Sequence, residues 1–443
     1  MNKTQLRDRL GELAIPLALL AVAAVATVAT WGEQSLEGRQ AARWLAGEIA
    51  GLPQAVDGRV LITVPDTQAA RTLAETVTAT VAAANGPPIL TVIGGPPTLR
   101  KALEAAAAGP DPVLAVVADR TSASWPALDK GLAAWPEASR PRLVVAPTFM
   151  GSMFLTRDNL RNIADQIAVI AIIAIGMTMV IISGGIDLSV GSVLALSGVV
   201  TALLVRDAFG GVAAGTVGML VAGLAGVAVG GLAGCCSGFL VAVVKMPAFV
   251  ATLGLMLVAR GLAFLLTHGQ SVSQLPETFT WLGRGRDLLG IPNAVVLAAV
   301  LYVSGSLVLR RMTFGRYLYA IGGAAEAARL AGVPSRRILV AAYSLCGALA
   351  GLGGVITASQ LRSGAPATGE MKELYVIAAV VVGGTSLSGG EGALGGTLLG
   401  ALFIAVIENA MNLTGIESFT QKVVLGLVIL AAVGLDMARR RTL

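Results

Sequence analysis

Two glycine-rich interruptions in otherwise apolar sequence hold the residues most able to meet a polar solute. Gly184-Gly185-Ile186-Asp187-Leu188-Ser189-Val190-Gly191 and Gly383-Gly384-Thr385-Ser386-Leu387-Ser388-Gly389-Gly390 share the pattern G-G-x-x-L-S-x-G. Unwound backbone at membrane depth is tolerated only beside protein or a water-filled cavity, and paired broken segments in two halves of a transporter point to its substrate pathway. Gly184, Gly185, Asp187, Ser189, Gly383, Gly384, Thr385 and Ser386 are therefore the pathway candidates. Asp187 is the charge among them. A carboxylate beside a helix break can contact substrate hydroxyls or carry a proton; in the plainer reading it caps the helix that starts near Leu188, with Ser189 as second choice. Arg260, Glu408 and Asn409 also fall within or near apolar runs, where they are expected to face the bundle and pair.

Other chemistries are poorly supplied. One His and three Cys leave little for a metal site or a nucleophile, and no metal or catalytic group is expected. His268 stands alone in a loop with no nucleophile–base pair in view, which counts against an intramembrane hydrolase. Adjacent Cys235 and Cys236, and Cys346 in another run, read as small buried packing residues. The chain lacks the GxxxxGK[ST] loop, so any chemistry on ATP and Mg2+ belongs to a partner. Membrane lipid is an expected neighbour and nucleic acid is not.

One polar stretch stands apart. Residues 314–338, FGRYLYAIGGAAEAARLAGVPSRRI, form a basic loop between apolar runs and carry a two-turn helix over 324–331. Ala, Glu, Arg and Leu favour that helix. Gly322 and Gly323 free the backbone before it, Gly332 is placed to cap it, and Pro334 stops it. So exposed a helix either docks on a partner that works on the membrane part, or belongs to a loop that only fixes topology.

The elements that must hold these residues are apolar. The chain is 55% hydrophobic and 13% charged, outside the range of ordinary soluble domains. A helix needs about 20 apolar residues to cross ~30 Å of hydrocarbon. Such runs recur at 13–30, 163–182, 190–205, 211–244 (a span plus a further short helix), 248–267, 292–309, 339–359, 374–382, 393–411 and 419–437, about ten spans by this criterion. Basic residues before the first run put the N-terminus inside, and an uncleaved span is preferred there over a signal peptide. With ten spans, Lys245, the basic cluster at 310–337 and Arg439-Arg440-Arg441 all fall inside, so both termini are expected in the cytoplasm.

Residues 31–147 change character. Short branched runs at 60–64, 89–93, 113–118 and 143–146 alternate with helix-forming stretches at 67–84 and 99–108 and a weaker one at 127–134, with 39–50 leading in. Continuous apolar strands alternating with helices read as a parallel sheet covered on both faces. The expected fold is an all-α polytopic membrane protein of about ten helices, with a soluble α/β domain inserted between the first and second spans. The divisions are 1–31, 32–147 (extracytoplasmic) and 148–443. Ligands of such sheets gather at strand carboxyl ends, here Pro65-Asp66-Thr67, Gly94-Gly95-Pro96-Pro97 and Asp119-Arg120-Thr121. A docking or spacer role is preferred to ligand binding. In architecture alone, the domain is similar to one lobe of a periplasmic sugar-binding protein.

Several long motifs carry a family resemblance. GMTMVIISGGIDLSVGSVLALSG (176–198), FGRYLYAIGG with EAARLAG (314–332), YSLCGALAGLGG (343–354) and IAAVVVGGTSLSGGEGALGGTLLGAL (377–402) are similar to the permease subunits of ribose-type bacterial ATP-binding-cassette (ABC) importers. The likeness covers roughly the last two-thirds of the chain. Glu326-Ala327-Ala328 followed by Gly332 resembles the EAA…G motif that such permeases present to their ATPases. The resemblance implies a bacterial inner-membrane homodimer, a cytoplasmic ATPase that uses ATP and Mg2+, and a soluble extracytoplasmic sugar-binding protein. It implies import of a monosaccharide such as ribose by alternating access, with no enzyme activity or cofactor in this chain. Glu326, Ala327, Ala328, Arg329 and Gly332 would then be the coupling segment. The domain at 32–147 departs from the short segment that the family has there. Two other classes stay open: a proton-coupled secondary transporter using Asp187, and a membrane-bound sensor with an outer ligand-binding domain.

Overall fold

Helix α1 (Lys3–Ala29) precedes a compact α/β unit, Trp31–Met153, and joins the chain from Phe154 onward in a separate helical unit. The computed structural model describes residues 3–36, 38–52, 58–133 and 135–441. The side chains of 3–14, 39, 138 and 435–441 are not described, so the basic groups expected inside at both ends lie outside the described side chains.

The α/β unit runs β1 (Trp31–Ser35), α2 (Gly38–Ala50), β2 (Arg59–Val64), α3 (Gln68–Ala83), β3 (Ile89–Ile93), α4 (Pro96–Ala108), β4 (Val113–Ala118), α5 (Arg120–Ala123), α6 (Pro126–Ala133), β5 (Arg142–Val145) and β6 (Thr148–Ser152). The expected helix end at Ala134 lies outside the described residues. Strands β3-β2-β4-β5 form a parallel sheet in that order. Successive strand residues point to opposite faces. Val60, Ile62 and Val64 therefore pack with Leu45, Ile49, Val77 and Val81 of α2 and α3. Leu61 and Val116 pack with Leu99, Leu103 and Leu128 of α4 and α6. No hydrophobic pattern marks β1, whose WGEQS pairs antiparallel with β6, so the compact unit runs past residue 147.

The helical unit continues with α7 (Arg157–Ile182), α8 (Val190–Leu203) prolonged by a π-helical turn at Leu204–Ala208, α9 (Thr216–Ala242), α10 (Ala248–Thr267), α11 (Trp281–Arg284), α12 (Asn293–Arg311), α13 (Thr313–Gly323), α14 (Ala325–Leu330), α15 (Ser335–Leu361), α16 (Lys372–Val382), α17 (Leu394–Leu413) and α18 (Ser418–Arg441). Among the described residues, seven helices are long and apolar enough to cross a membrane: α7, α8 with its π turn, α9, α10, α12, α15 and α17. Helices α1 and α18 offer shorter apolar stretches, Ile15–Ala29 and Ser418–Gly434.

Three expectations about the apolar runs and the basic loop are corrected. The run at 374–382 does not cross alone, because the 11 residues of α16 reach only about 16 Å. The run at 211–244 holds one 27-residue helix after a single 3-10 turn, not a span plus a second helix. Most of the loop expected at 314–338 is helical: α13 buries Gly315, Leu318 and Ile321 along one face, so tertiary packing overrides its glycines and charges.

Helix α7 is the centre. Its residues from Ile167 to Ile182 are all buried, as an all-round apolar helix requires. It packs against α15, α17, α12 and α16. Helix α9 lies antiparallel to α15 through Gly226, Gly230, Gly234 and Gly238, one row at four-residue spacing. A methyl on Gly230 would overlap the Gly347 carbonyl, and one on Gly234 the Tyr343 carbonyl. Small residues let the two backbones touch where lipid gives no hydrophobic push. That row turns Cys235 and Cys236 outward, so both are exposed rather than buried as expected; Cys346 is buried.

Candidate functional site

Both broken segments begin with the same helix end. After α7, Gly184 takes φ +82°, and the N–H groups of Gly184 and Gly185 donate to the carbonyls of Ile181 (2.9 Å) and Val180 (3.1 Å). After α16, Gly384 takes φ +86°, and the N–H groups of Gly384 and Thr385 donate to Val381 (2.9 Å) and Val380 (3.1 Å). This is the left-handed glycine cap that satisfies the last helical carbonyls. Gly184 thus corresponds to Gly384, one position out of step with the sequence pattern, which pairs it with Gly383.

The polar turns beyond the caps do keep the register of the pattern. Asp187 Oδ1 accepts from the Ser189 N–H (2.9 Å) and Oγ–H (2.6 Å). Ser386 Oγ accepts from the Ser388 N–H (3.1 Å). Each is a side chain closing a turn onto the residue two further on. Asp187 therefore holds the entry to α8, while Ser189 makes no side-chain cap. Asp187 is fully buried and, among the described residues, its Oδ2 has no hydrogen-bond partner. The preceding carbonyl, Ile186, accepts from Thr252 of α10 (3.4 Å) and Tyr343 of α15 (3.5 Å). Thr385 is buried against Gly392, with its own Oγ1 unpartnered among the described residues.

The two breaks meet. The Gly390 N–H donates to the Ile182 carbonyl at 2.8 Å, and a methyl on Gly389 would lie 2.9 Å from the Gly184 nitrogen. The last turn of α13 is wedged into the same point. A methyl on Gly322 would overlap the Ile182 carbonyl and lie 2.5 Å from the Gly390 nitrogen. Tyr319 Oη donates to the Gly392 carbonyl at 2.7 Å. Sequence reasoning assigned Gly322 only a freed backbone; its role is close approach, which no local spacing signals.

Helix α14 begins directly after α13 and is mostly exposed. Glu326 and Arg329 pair at 2.9 Å on its outer face, and Ala328 alone is buried. Gly332 takes φ +82° and the Val333 N–H returns to the Ala328 carbonyl at 3.0 Å, the expected cap. Leu330 is 79% exposed, a projecting apolar side chain that no spacing along the chain singles out. Residues 326–332 do not themselves reach the breaks; α13 lies between.

Of the other charges and amides, Asn409 pairs reciprocally with Asn159 of α7 (2.9 and 2.8 Å). Glu408 lies near Gln166 and Lys372. Arg260 is partly buried. In the α/β unit, the strand order places the crevice between β2 and β4, where Asp66 is paired with Arg71 (2.8 Å) and Asp119 caps α5 (2.9 Å). Among the described residues, no group of three or more His, Cys, Asp or Glu could hold a metal.

Residues 159–433 match the family described as branched-chain amino acid transport system / permease component. The chain is 42% identical over 298 residues to the ribose import permease protein RbsC of Escherichia coli, covering 66% of this chain and 90% of that one. It is 44% identical over 296 residues to RbsC of Bacillus subtilis, covering 66% and 89%. It is 39% identical over 302 residues to the L-arabinose transport system permease protein AraH of Escherichia coli, covering 68% and 88%. No solved structure matches the chain.

Proposed function

The chain is a multi-pass membrane protein of the branched-chain amino acid transport system permease family, and we propose that it is the membrane-spanning permease of an ATP-driven importer for a simple sugar, ribose first. The named relatives, two ribose permeases and an L-arabinose permease, support that substrate class. The working unit is a homodimer with a cytoplasmic ATPase that supplies ATP and Mg2+ chemistry and an extracytoplasmic sugar-binding protein. The chain itself contributes no cofactor. It lies in the bacterial inner membrane with both termini cytoplasmic and residues 32–147 outside. It makes ten passages, one of them shared between α16 and the irregular stretch before it.

One observation carries the mechanism: α13, which leads directly into exposed α14, is packed by Gly322 against the ends of both broken segments. The segment Glu326, Ala327, Ala328, Arg329 and Gly332 docks on the ATPase through its exposed residues, with buried Ala328 seating the helix and Leu330 as the apolar contact. When ATP closes the cassettes, α14 moves, α13 carries the movement to Ile182 and Gly390 together, and the pathway near Gly184, Gly185, Asp187, Ser189, Gly383, Gly384, Thr385 and Ser386 switches its opening. ATP drives this only through different affinity of the cassettes for the two states.

Glu326→Lys tests the reading. It reverses the charge of the exposed face and breaks the pair with Arg329, so ATP-dependent uptake is abolished while the protein accumulates normally in the membrane. The unpartnered Oδ2 of Asp187 favours a second reading, a proton-coupled carrier. In that case Glu326→Lys leaves uptake intact, and a pH gradient drives it in vesicles without ATP.

A further inference from the structure

Between α15 and α16 the chain descends without a helix. Gly364 packs against Gly198 and Ala202 of α8, and Gly369 against Gly191 and Leu194 of the same helix. Residues 364–369 therefore run down α8 toward its first turn. Helix α16 then covers the remaining distance to the break beside Ile182, about 16 Å or half the hydrocarbon. Irregular backbone at that depth is tolerated only against protein or where it lines water.

Charged side chains collect at this level. Glu373, in the first turn of α16, is 7% exposed and its Oε2 has no partner among the described residues. That carboxylate presses on Gly191, where a methyl would overlap it. Helix α10 packs along α8 and carries Arg260 about two turns beyond the Thr252 that bonds Ile186. Glu370 follows directly on the Gly369 that touches Gly191, so the charges of both Arg260 and Glu370 reach Glu373. Glu370 is exposed and Arg260 half-buried. Lys372 lies over the Tyr375 ring at 5.5 Å. Among the described residues, none of the four is held in a salt bridge. Ser192 Oγ, in the first turn of α8, is also buried with no partner among the described residues.

We propose that Arg260, Glu370 and Glu373, beside the first turn of α8, form a half-depth contact site for a polyhydroxylated solute. Its fitness for such a solute lies in its hydrogen-bonding groups, since Lys372 is shared with Glu408. It offers guanidinium donors next to carboxylate acceptors, and a sugar hydroxyl both donates and accepts. Intramembrane charges of this kind mark solute pathways. The site deepens the importer reading and rests on it.

The test uses the full importer in intact cells, with D-ribose and L-arabinose as probes. Arg260→Ala and Glu370→Gln lower D-ribose uptake about tenfold and change the ratio of D-ribose to L-arabinose uptake, because a site built to bond hydroxyls separates their arrangements. A merely structural role would lower both sugars alike. Independently, Glu370→Cys, in a background with Cys235→Ser and Cys236→Ser, reacts with a charged, membrane-impermeant thiol reagent, and excess D-ribose slows the reaction. Unchanged uptake and ratio in wild-type-like amounts of Arg260→Ala and Glu370→Gln overturn the site, as does a Cys at 370 that never reacts. If the unaltered importer moves neither sugar, the importer reading fails first and takes the site with it.

Discussion

After Ile182 and after Val382 the chain leaves its helix in the same way, through a left-handed glycine at +82° and +86°, and then closes a turn with a side chain that accepts a hydrogen bond from two residues on. Beyond that the segments differ. The first encloses a carboxylate, Asp187, next to the Ile186 carbonyl that accepts from Tyr343, and leads into α8. The second carries a hydroxyl, Ser386, and runs on through Gly389, Gly390 and Gly392 to touch Ile182, Gly184 and Tyr319. The first break therefore relies on a buried carboxylate of its own as well as on its neighbours, and the second mainly on its neighbours. Segments of like backbone can be held by different forces, and substitution separates those forces.

The largest effect is expected at Gly322, where both breaks share one contact. Gly322→Ala places a methyl on the Ile182 carbonyl and the Gly390 nitrogen. Overpacking costs about 1–3 kcal/mol, and backbone on both sides puts this site at the upper end. Sugar uptake is lost and the thermal midpoint in detergent falls. Gly323→Ala, with nothing within 4 Å of its methyl, is the control and behaves like the parent. Equal behaviour of the two variants would sever the link between α13 and the breaks.

A smaller effect separates the two polar turns. Asp187→Ala removes two hydrogen bonds and leaves the buried Ser189 hydroxyl without its acceptor, a loss of about 1–3 kcal/mol. Ser386→Ala removes the bond from the Ser388 N–H, worth about 0.5–1.5 kcal/mol. Unfolding midpoints should fall further for Asp187→Ala, and Asp187→Asn, which keeps the acceptor, should restore most of the difference. The reverse order would mean that the first break does not depend on its own side chain.

How far this was legible depends on the kind of signal. Strands β2, β3 and β4 lie on continuous branched runs, because a sheet covered on both faces needs apolar residues at every position. The ribbon of β1 and β6 carries no such pattern, and only its partner strand makes WGEQS a strand. The match between the breaks came from serines and glycines at fixed spacing, which located the polar turns. It missed the caps by one residue, because adjacent glycines hide which one turns left-handed. Glu373 passed unnoticed because Lys372-Glu373 before an apolar run reads as an ordinary helix start. Its depth is visible only through Gly191 and Gly369. Gly322 and Leu330 likewise owe their roles to what surrounds them, which spacing along the chain does not encode.

The matched caps give a finer test. Gly184 and Gly384 both have open space where a methyl would go, so alanine there costs only the left-handed backbone, about 1–2 kcal/mol. Gly184→Ala and Gly384→Ala should lower the unfolding midpoint by the same amount, and a clear inequality would mean that the two ends are not equivalent. The smallest effect belongs to Tyr319→Phe, which removes one bond of 2.7 Å to the Gly392 carbonyl and keeps the ring. A single half-buried hydrogen bond is worth about 0.5–1.5 kcal/mol. If neighbours anchor the second break, that loss appears as faster amide exchange around Gly389–Gly392, with exchange around Asp187–Ser189 unchanged. Equal quickening at both would show that the breaks are held as one body, and the distinction between them would then be chemical rather than mechanical.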